Sequence, residues 1–134
     1  MKRCAALASL SREHHAALVW AKRVQNASAE NSVALAGQLV EVFAQQIEPH
    51  FRVEETGLLP ALQGVGEAAL IARTLAEHSS LRAAIARIGE GDREALVPFG
   101  AALAAHVRFE ERELFAVAEA RLGAAVLAAI ALQH

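Results

Sequence analysis

Apolar residues recur at intervals of three and four along four long stretches of the chain. That spacing marks amphipathic helices, and strand-like alternation is missing. The first stretch runs from about Leu7 to Val24 and fades into Gln25-Asn26-Ala27-Ser28, with Ser9 and Ser11 as caps if it starts later. The second begins at Asn31, a good N-cap residue, and continues to about Leu62. Pro49 falls inside it and is expected to kink the helix or shift its hydrogen bonding, because the apolar pattern continues beyond. After the break Gln63-Gly64-Val65-Gly66, a third helix covers Glu67 to Ile88 and ends at Gly89-Glu90-Gly91. Asp92 is a natural N-cap for the fourth, which reaches about Leu122 with Pro98 in its second turn. Gly123 precedes a short fifth helix, Ala124 to Leu132. Long helices joined by short connections pack antiparallel, so the expected fold is all-α, an up-down-up-down four-helix bundle with a short C-terminal helix.

Composition agrees with this reading and narrows it. The 134 residues suffice for one core, so residues 1–134 are read as a single domain. Alanine supplies much of the 54% hydrophobic fraction, which favours helix. The net charge of −2 is spread among mixed-sign residues, so no basic face exists for nucleic acid. Cys4 is the only cysteine, which excludes a disulfide framework or a thiolate knuckle within one chain. The start Met1-Lys2-Arg3 is followed by an apolar stretch that ends at Ser11-Arg12-Glu13, too short for a signal peptide. No segment has the length of a membrane span. The expectation is a cytoplasmic protein with no membrane and no nucleic-acid partner.

The histidines carry the chemistry. His14 and His15 fall in the first helix, His50 in the second, His78 in the third and His106 in the fourth, while His134 ends the chain. His50 and His106 share one pattern, His-x-x-x-Glu-Glu. The spacing of four stacks His50 over Glu54 and His106 over Glu110, so imidazole and carboxylate reach one metal ion or a carboxylate bridges two. Glu55 and Glu111 are rotated about 100° away and read as outer or solvent groups. Around His106, Phe99 and Leu103 precede and Phe109, Glu110 and Glu113 follow on the inward side. Ile71 and Leu75 below His78, and Leu81 and Ile85 above it, point that histidine into the core, where it needs a polar partner. In the first helix, Leu7, Leu10, Ala17, Leu18 and Ala21 centre on His14, whereas His15 turns toward Arg12, Ser11 and Lys22. His14 is favoured, with His15 kept open because His15 and Leu18 repeat the spacing of His78 and Leu81. Four imidazoles and two carboxylates suit iron, zinc or manganese. They underfill two octahedral ions unless the carboxylates bridge, which leaves places for water, oxo or a small exogenous ligand.

The combination Glu13-His14-His15, His50-Phe51-x-x-Glu54-Glu55 with Leu58-Leu59-Pro60, Glu77-His78, and His106-x-x-x-Glu110-Glu111 with Leu114-Phe115 resembles the hemerythrin-like family, or HHE cation-binding domain. The resemblance covers nearly the whole chain. It implies a non-haem centre of two iron ions, oxo- or hydroxo-bridged, with zinc or manganese as alternatives. His14 (or His15), His50, His78 and His106 would be terminal ligands, and Glu54 and Glu110 the bridging carboxylates. Family members bind or sense dioxygen, nitric oxide or iron itself, and some assist repair of damaged iron centres. This chain departs from oxygen-carrying members in two places. They carry a second histidine one turn away on the third helix, where His78 has Thr74 and Arg82 instead. They also use an aspartate five residues after the fourth-helix histidine, where this chain has Glu110 at four.

Those departures point away from oxygen carriage toward a module that binds or senses dioxygen, nitric oxide, peroxide or iron. An enzyme of iron-centre repair or stress defence is the alternative, and a bundle with a structural zinc the third reading. Core-facing positions look aliphatic, which weighs against a substrate pocket and an enzyme. Glu13, Glu55, Glu77 and Glu111 read first as solvated glutamates, and second as groups that orient ligand histidines. The apolar tail with Val126, Leu127 and Ile130 folds back over the bundle or, with Val19 and Trp20, forms a weak homodimer surface.

Overall fold

A computed structural model describes residues 4–132; the charged start Met1-Lys2-Arg3 and the terminal His134 lie outside them. Among the described residues four long helices form an all-α, up-down-up-down bundle, joined by a short fifth. Helix α1 is Ala5–Gln25, and α2 covers residues 32–63. Helix α3 is Ala68–Gly89, α4 covers residues 96–121 after a 3₁₀ turn at Arg93–Ala95, and α5 is Ala124–Leu132. Gly66 and Gly91, with φ of 86° and 107°, make the breaks after α2 and α3. Among the described residues no helix is long and apolar enough to cross a membrane.

Two details of the helix ends differ from expectation. Helix α1 starts before Ser9 and Ser11, directly after Cys4, whose backbone N–H donates to the Glu119 carboxylate of α4. Helix α2 starts at Ser32, but Asn31 does not cap it with its side chain. Asn31 Oδ1 instead accepts the Ser28 N–H at 2.7 Å, closing the turn that precedes the helix.

Pro49 shifts the hydrogen bonding of α2. The helix widens into a π turn at Phe43–Ile47, where the Glu48 N–H reaches back five residues to the Phe43 carbonyl. The wide turn comes just ahead of a residue with no N–H to give the ladder. A second π turn, Glu54–Leu58, precedes Pro60 in the same way. A third, Glu110–Leu114 in α4, has no proline beside it. Each of these last two turns starts at a candidate ligand glutamate. The extra residue also rotates the face that follows. After Glu110 the buried residues are Leu114 and Phe115, so Glu113, expected to face inward, is exposed.

The core has two apolar layers. One contains Val24, Leu39, Phe51, Leu81, Phe99 and Leu103. The other contains Leu7, Leu10, Leu58, Leu62, Leu114 and Phe115, and α5 completes it with Leu127 and Ile130. The tail therefore folds back over the bundle end, leaving Val126 and Leu132 exposed. On each long helix the candidate histidine lies where one layer gives way to the other. In α3 the inward line is Thr74, His78, Leu81 and Ile88, and Leu75, expected below His78, is exposed. Thr74 tolerates burial because its hydroxyl donates to the Leu70 carbonyl at 2.8 Å, so no partner helix need supply an acceptor.

Helices α1 and α4 touch at Gly100. A Cβ there would stand 2.6 Å from the Ala21 carbonyl oxygen, 2.7 Å from Gln25 Cγ and 2.9 Å from Val24 Cγ2. The backbone of α1 cannot give way as a flexible side chain does. Gly100→Ala is expected to destabilise the fold by about 1–3 kcal/mol through overpacking, although alanine is the better helix former. Thermal unfolding followed by circular dichroism checks this; an unchanged or higher melting temperature would refute the close packing.

Candidate metal centre

Between the two apolar layers lie six buried polar side chains: His14 of α1, His50 and Glu54 of α2, His78 of α3, and His106 and Glu110 of α4. The four-residue spacing puts His50 Nε2 3.1 Å from Glu54 Oε2, and His106 Nε2 3.1 Å from Glu110 Oε2. The other two helices complete the arrangement. His14 Nε2 lies 2.8 Å from Glu110 Oε1, and His78 Nε2 lies 3.1 Å from Glu54 Oε1. Each glutamate thus divides its two oxygens between two donor groups. One is His14, His50, Glu54 and Glu110; the other is His78, His106, Glu54 and Glu110. His15, kept open in the sequence, is exposed and outside both.

The outward nitrogens are equally ordered. His50 Nδ1 meets Glu13 at 2.6 Å, His78 Nδ1 meets Glu55 at 2.7 Å, His106 Nδ1 meets Glu77 at 2.7 Å, and His14 Nδ1 meets Glu111 at 2.6 Å. These contacts form a closed ring around the bundle. A glutamate of α1 holds the histidine of α2, α2 holds α3, α3 holds α4, and α4 holds α1. A carboxylate only accepts, so Nδ1 carries a proton and donates, and Nε2 is the ring nitrogen that faces inward. Ring stacking adds restraint: Phe51 lies on His78 at 3.8 Å and Phe115 on His14 at 5.1 Å between centroids, each tilted by 12°.

The ring is the part sequence reasoning ranked too low. Glu13, Glu55, Glu77 and Glu111 were read first as solvated, yet all four bind an imidazole. A usable signal was present: each adjoins a candidate ligand in sequence, about 100° round the helix, and so faces the neighbouring helix. Arg82 was also missed as a participant. It donates to Glu48 at 2.7 and 2.8 Å and to Glu55 at 2.8 and 3.1 Å, bracing the carboxylate that holds His78.

The inward atoms test whether this set fits metal ions. Both oxygens of Glu54, Glu110 Oε2, and Nε2 of His78 and His106 are buried without a hydrogen-bond partner. His14 Nε2 and His50 Nε2 face each other at 3.1 Å. Buried polar atoms are rarely left so, and lone pairs this close repel unless a cation or proton lies between them. Imidazole nitrogens and carboxylate oxygens are donors for iron, zinc or manganese, so the residues fit two such ions.

Without metal, protons take the cations' place. Burial pushes His78 down, but the nearby carboxylates of Glu110, Glu54 and Glu55 overcome it, and its pKa rises from 6.5 to about 9. His50 is carried well above its ordinary value against the same burial by the Glu54 charge and the adjacent Glu110 and Glu13 carboxylates. His14 is raised too, burial being outweighed by Glu110 and Glu111. Burial would raise Glu110, yet the surrounding histidines, His106 first, hold it well below the carboxylate range. A raised histidine pKa stabilises the fold fully below the unfolded value of 6.5 and loses that contribution as pH rises through about 9. The metal-free chain is therefore expected to melt lower at pH 9.5 than at pH 6. A metal-filled chain, its Nε2 lone pairs occupied, runs the other way and releases metal as pH falls. Melting curves of chelator-treated protein across this range check the first claim; a flat profile would contradict it.

A family model described as the hemerythrin HHE cation binding domain matches residues 5–118 of the 134-residue chain. That span includes all six inward residues and the four glutamates of the ring. No curated protein and no solved structure gives a significant match.

Proposed function

We propose, starting from the fact that the chain belongs to the hemerythrin HHE cation-binding family, that its centre holds two iron ions and binds a small ligand there. Dioxygen, nitric oxide or peroxide is that ligand, and the role is sensing or buffering. The observation that carries this reading is the set of five buried inward atoms on Glu54, Glu110, His78 and His106 that lack hydrogen-bond partners. Each donor group offers two nitrogens and two oxygens. Four donors would close a structural zinc site, whereas a six-coordinate ion keeps positions for an exogenous ligand. Charge supports ions of high valence. Glu13, Glu54, Glu55, Glu77, Glu110 and Glu111 converge on four imidazoles.

Bound iron would supply the open coordination positions and the redox change that ligand binding draws on. The chain's residues do the rest. The histidines present Nε2, Glu54 and Glu110 set the separation of the two ions, and the outer glutamates hold the Nδ1 protons. Phe51 and Phe115 cover the imidazole faces and keep water off them. Reversible oxygen carriage fits less well. Thr74, one turn before His78, spends its hydroxyl on a backbone carbonyl, and Arg82, one turn after, is engaged by two carboxylates. Neither position adds a nitrogen ligand, so the two donor groups stay evenly matched.

Protein from iron-replete cells is expected to carry two irons per chain and to change its optical spectrum on exposure to nitric oxide. His106→Ala or Glu54→Ala should remove most of the iron and that response. Metal analysis with reduced and oxidised spectra checks this. Full occupancy by zinc, with no redox or nitric oxide response, would overturn the di-iron reading.

A further inference from the structure

Between α1, α2 and α4 the bundle contains a cavity of about 270 Å³. Three buried imidazoles, His14, His50 and His106, line it together with Phe51, Leu103 and Val107. Its exposed rim is the first π turn of α2, with Gln45 and Gln46, faced by Ala16, Ala17 and Trp20 of α1. The space is roughly nine times the ~30 Å³ share of a water in the liquid, far more than a diatomic ligand needs. No lysine or arginine lines it. Its one carboxylate, Glu13, is bonded to His50 Nδ1. A cationic guest would lose its hydration for no free opposite charge, whereas an apolar body would be covered on most sides. The Gln46 amide at the rim offers a hydrogen bond to one uncharged polar group.

We propose that this cavity is a binding site for a neutral organic molecule the size of a substituted benzene, seated against the rings of His14, His50 and His106. The ligand's approach to a metal rests on the di-iron reading, but occupancy of the cavity does not. Aliphatic core-facing positions weigh against a substrate pocket with polar residues, and this cavity is largely apolar. The wide turn ahead of Pro49 borders it, and no apolar pattern shows where such a turn will fall.

Trp20 lines the cavity and is the chain's only tryptophan, so its fluorescence reports occupancy directly. The test titrates benzyl alcohol into the full chain, iron-loaded and metal-free, with N-acetyltryptophanamide as the blank. Benzylammonium serves as a charged counterpart of the same size. The expected result is a saturable change with benzyl alcohol in both forms, and binding about tenfold or more weaker for benzylammonium. Ala17→Phe should fill the space and abolish the change while helicity is kept. Should that variant fail to fold, Ala16→Phe at the exposed rim carries the same test. A response as linear as the blank, equal binding of benzylammonium, or unchanged binding in a folded variant would overturn the proposal. Saturable binding in a chain that takes up no iron would overturn the di-iron reading and leave the cavity site standing. Two irons per chain without saturable binding would do the reverse.

Discussion

Six ionisable side chains in the middle of a small apolar bundle are an electrostatic burden, and the rest of the structure is arranged around it. A buried group left without its partner costs about 3–5 kcal/mol, a large share of the stability of a domain this size. The ring of four imidazole–carboxylate bonds satisfies the outward nitrogen of each histidine. Every Nδ1 donates to a glutamate of the neighbouring helix, which ties the four helices in sequence, α1 to α2 to α3 to α4 and back. The inward atoms are met by protons or by cations, and these donors suit cations. Folding and the capacity to hold metal thus rest on the same contacts.

The backbone serves this arrangement at two places. Glu54 and Glu110 each start a π turn, and each is followed by two consecutive buried residues, Leu58-Leu59 and Leu114-Phe115. A regular helix would send one of each pair away from the core. The added residue lets a carboxylate face the centre while the next turn still closes the apolar layer beneath it. π turns are uncommon and concentrate at functional positions, and these two start at the candidate ligands Glu54 and Glu110. The one at Phe43–Ile47 differs, since it borders the cavity beside His14 and His50 and holds no inward carboxylate.

Much of this could be read in the sequence. Helical spacing located all five helices within a few residues, and the apolar stripe favoured His14 while leaving His15 open. The four-residue spacing placed His50 with Glu54 and His106 with Glu110. What could not be read has physical causes. Periodicity assumes 3.6 residues per turn, so it misplaced Glu113 beyond a π turn. It favoured Leu75 over Thr74 because hydrophobicity ignores a hydroxyl that satisfies itself on its own helix. The outer glutamates escaped because their partners lie on other helices, and spacing within one helix says nothing of contacts between helices. Cys4 and Asn31 show the same limit at helix ends, where backbone groups found partners that local capping rules do not supply.

The ring of outer glutamates presets two donor groups that share Glu54 and Glu110. Anomalous diffraction at the iron edge from crystals of the iron-loaded chain checks this. Two iron peaks are expected, one beside His14 and His50 and the other beside His78 and His106, with the Glu54 and Glu110 carboxylates between them. A single peak, or iron bound away from these six side chains, would contradict it.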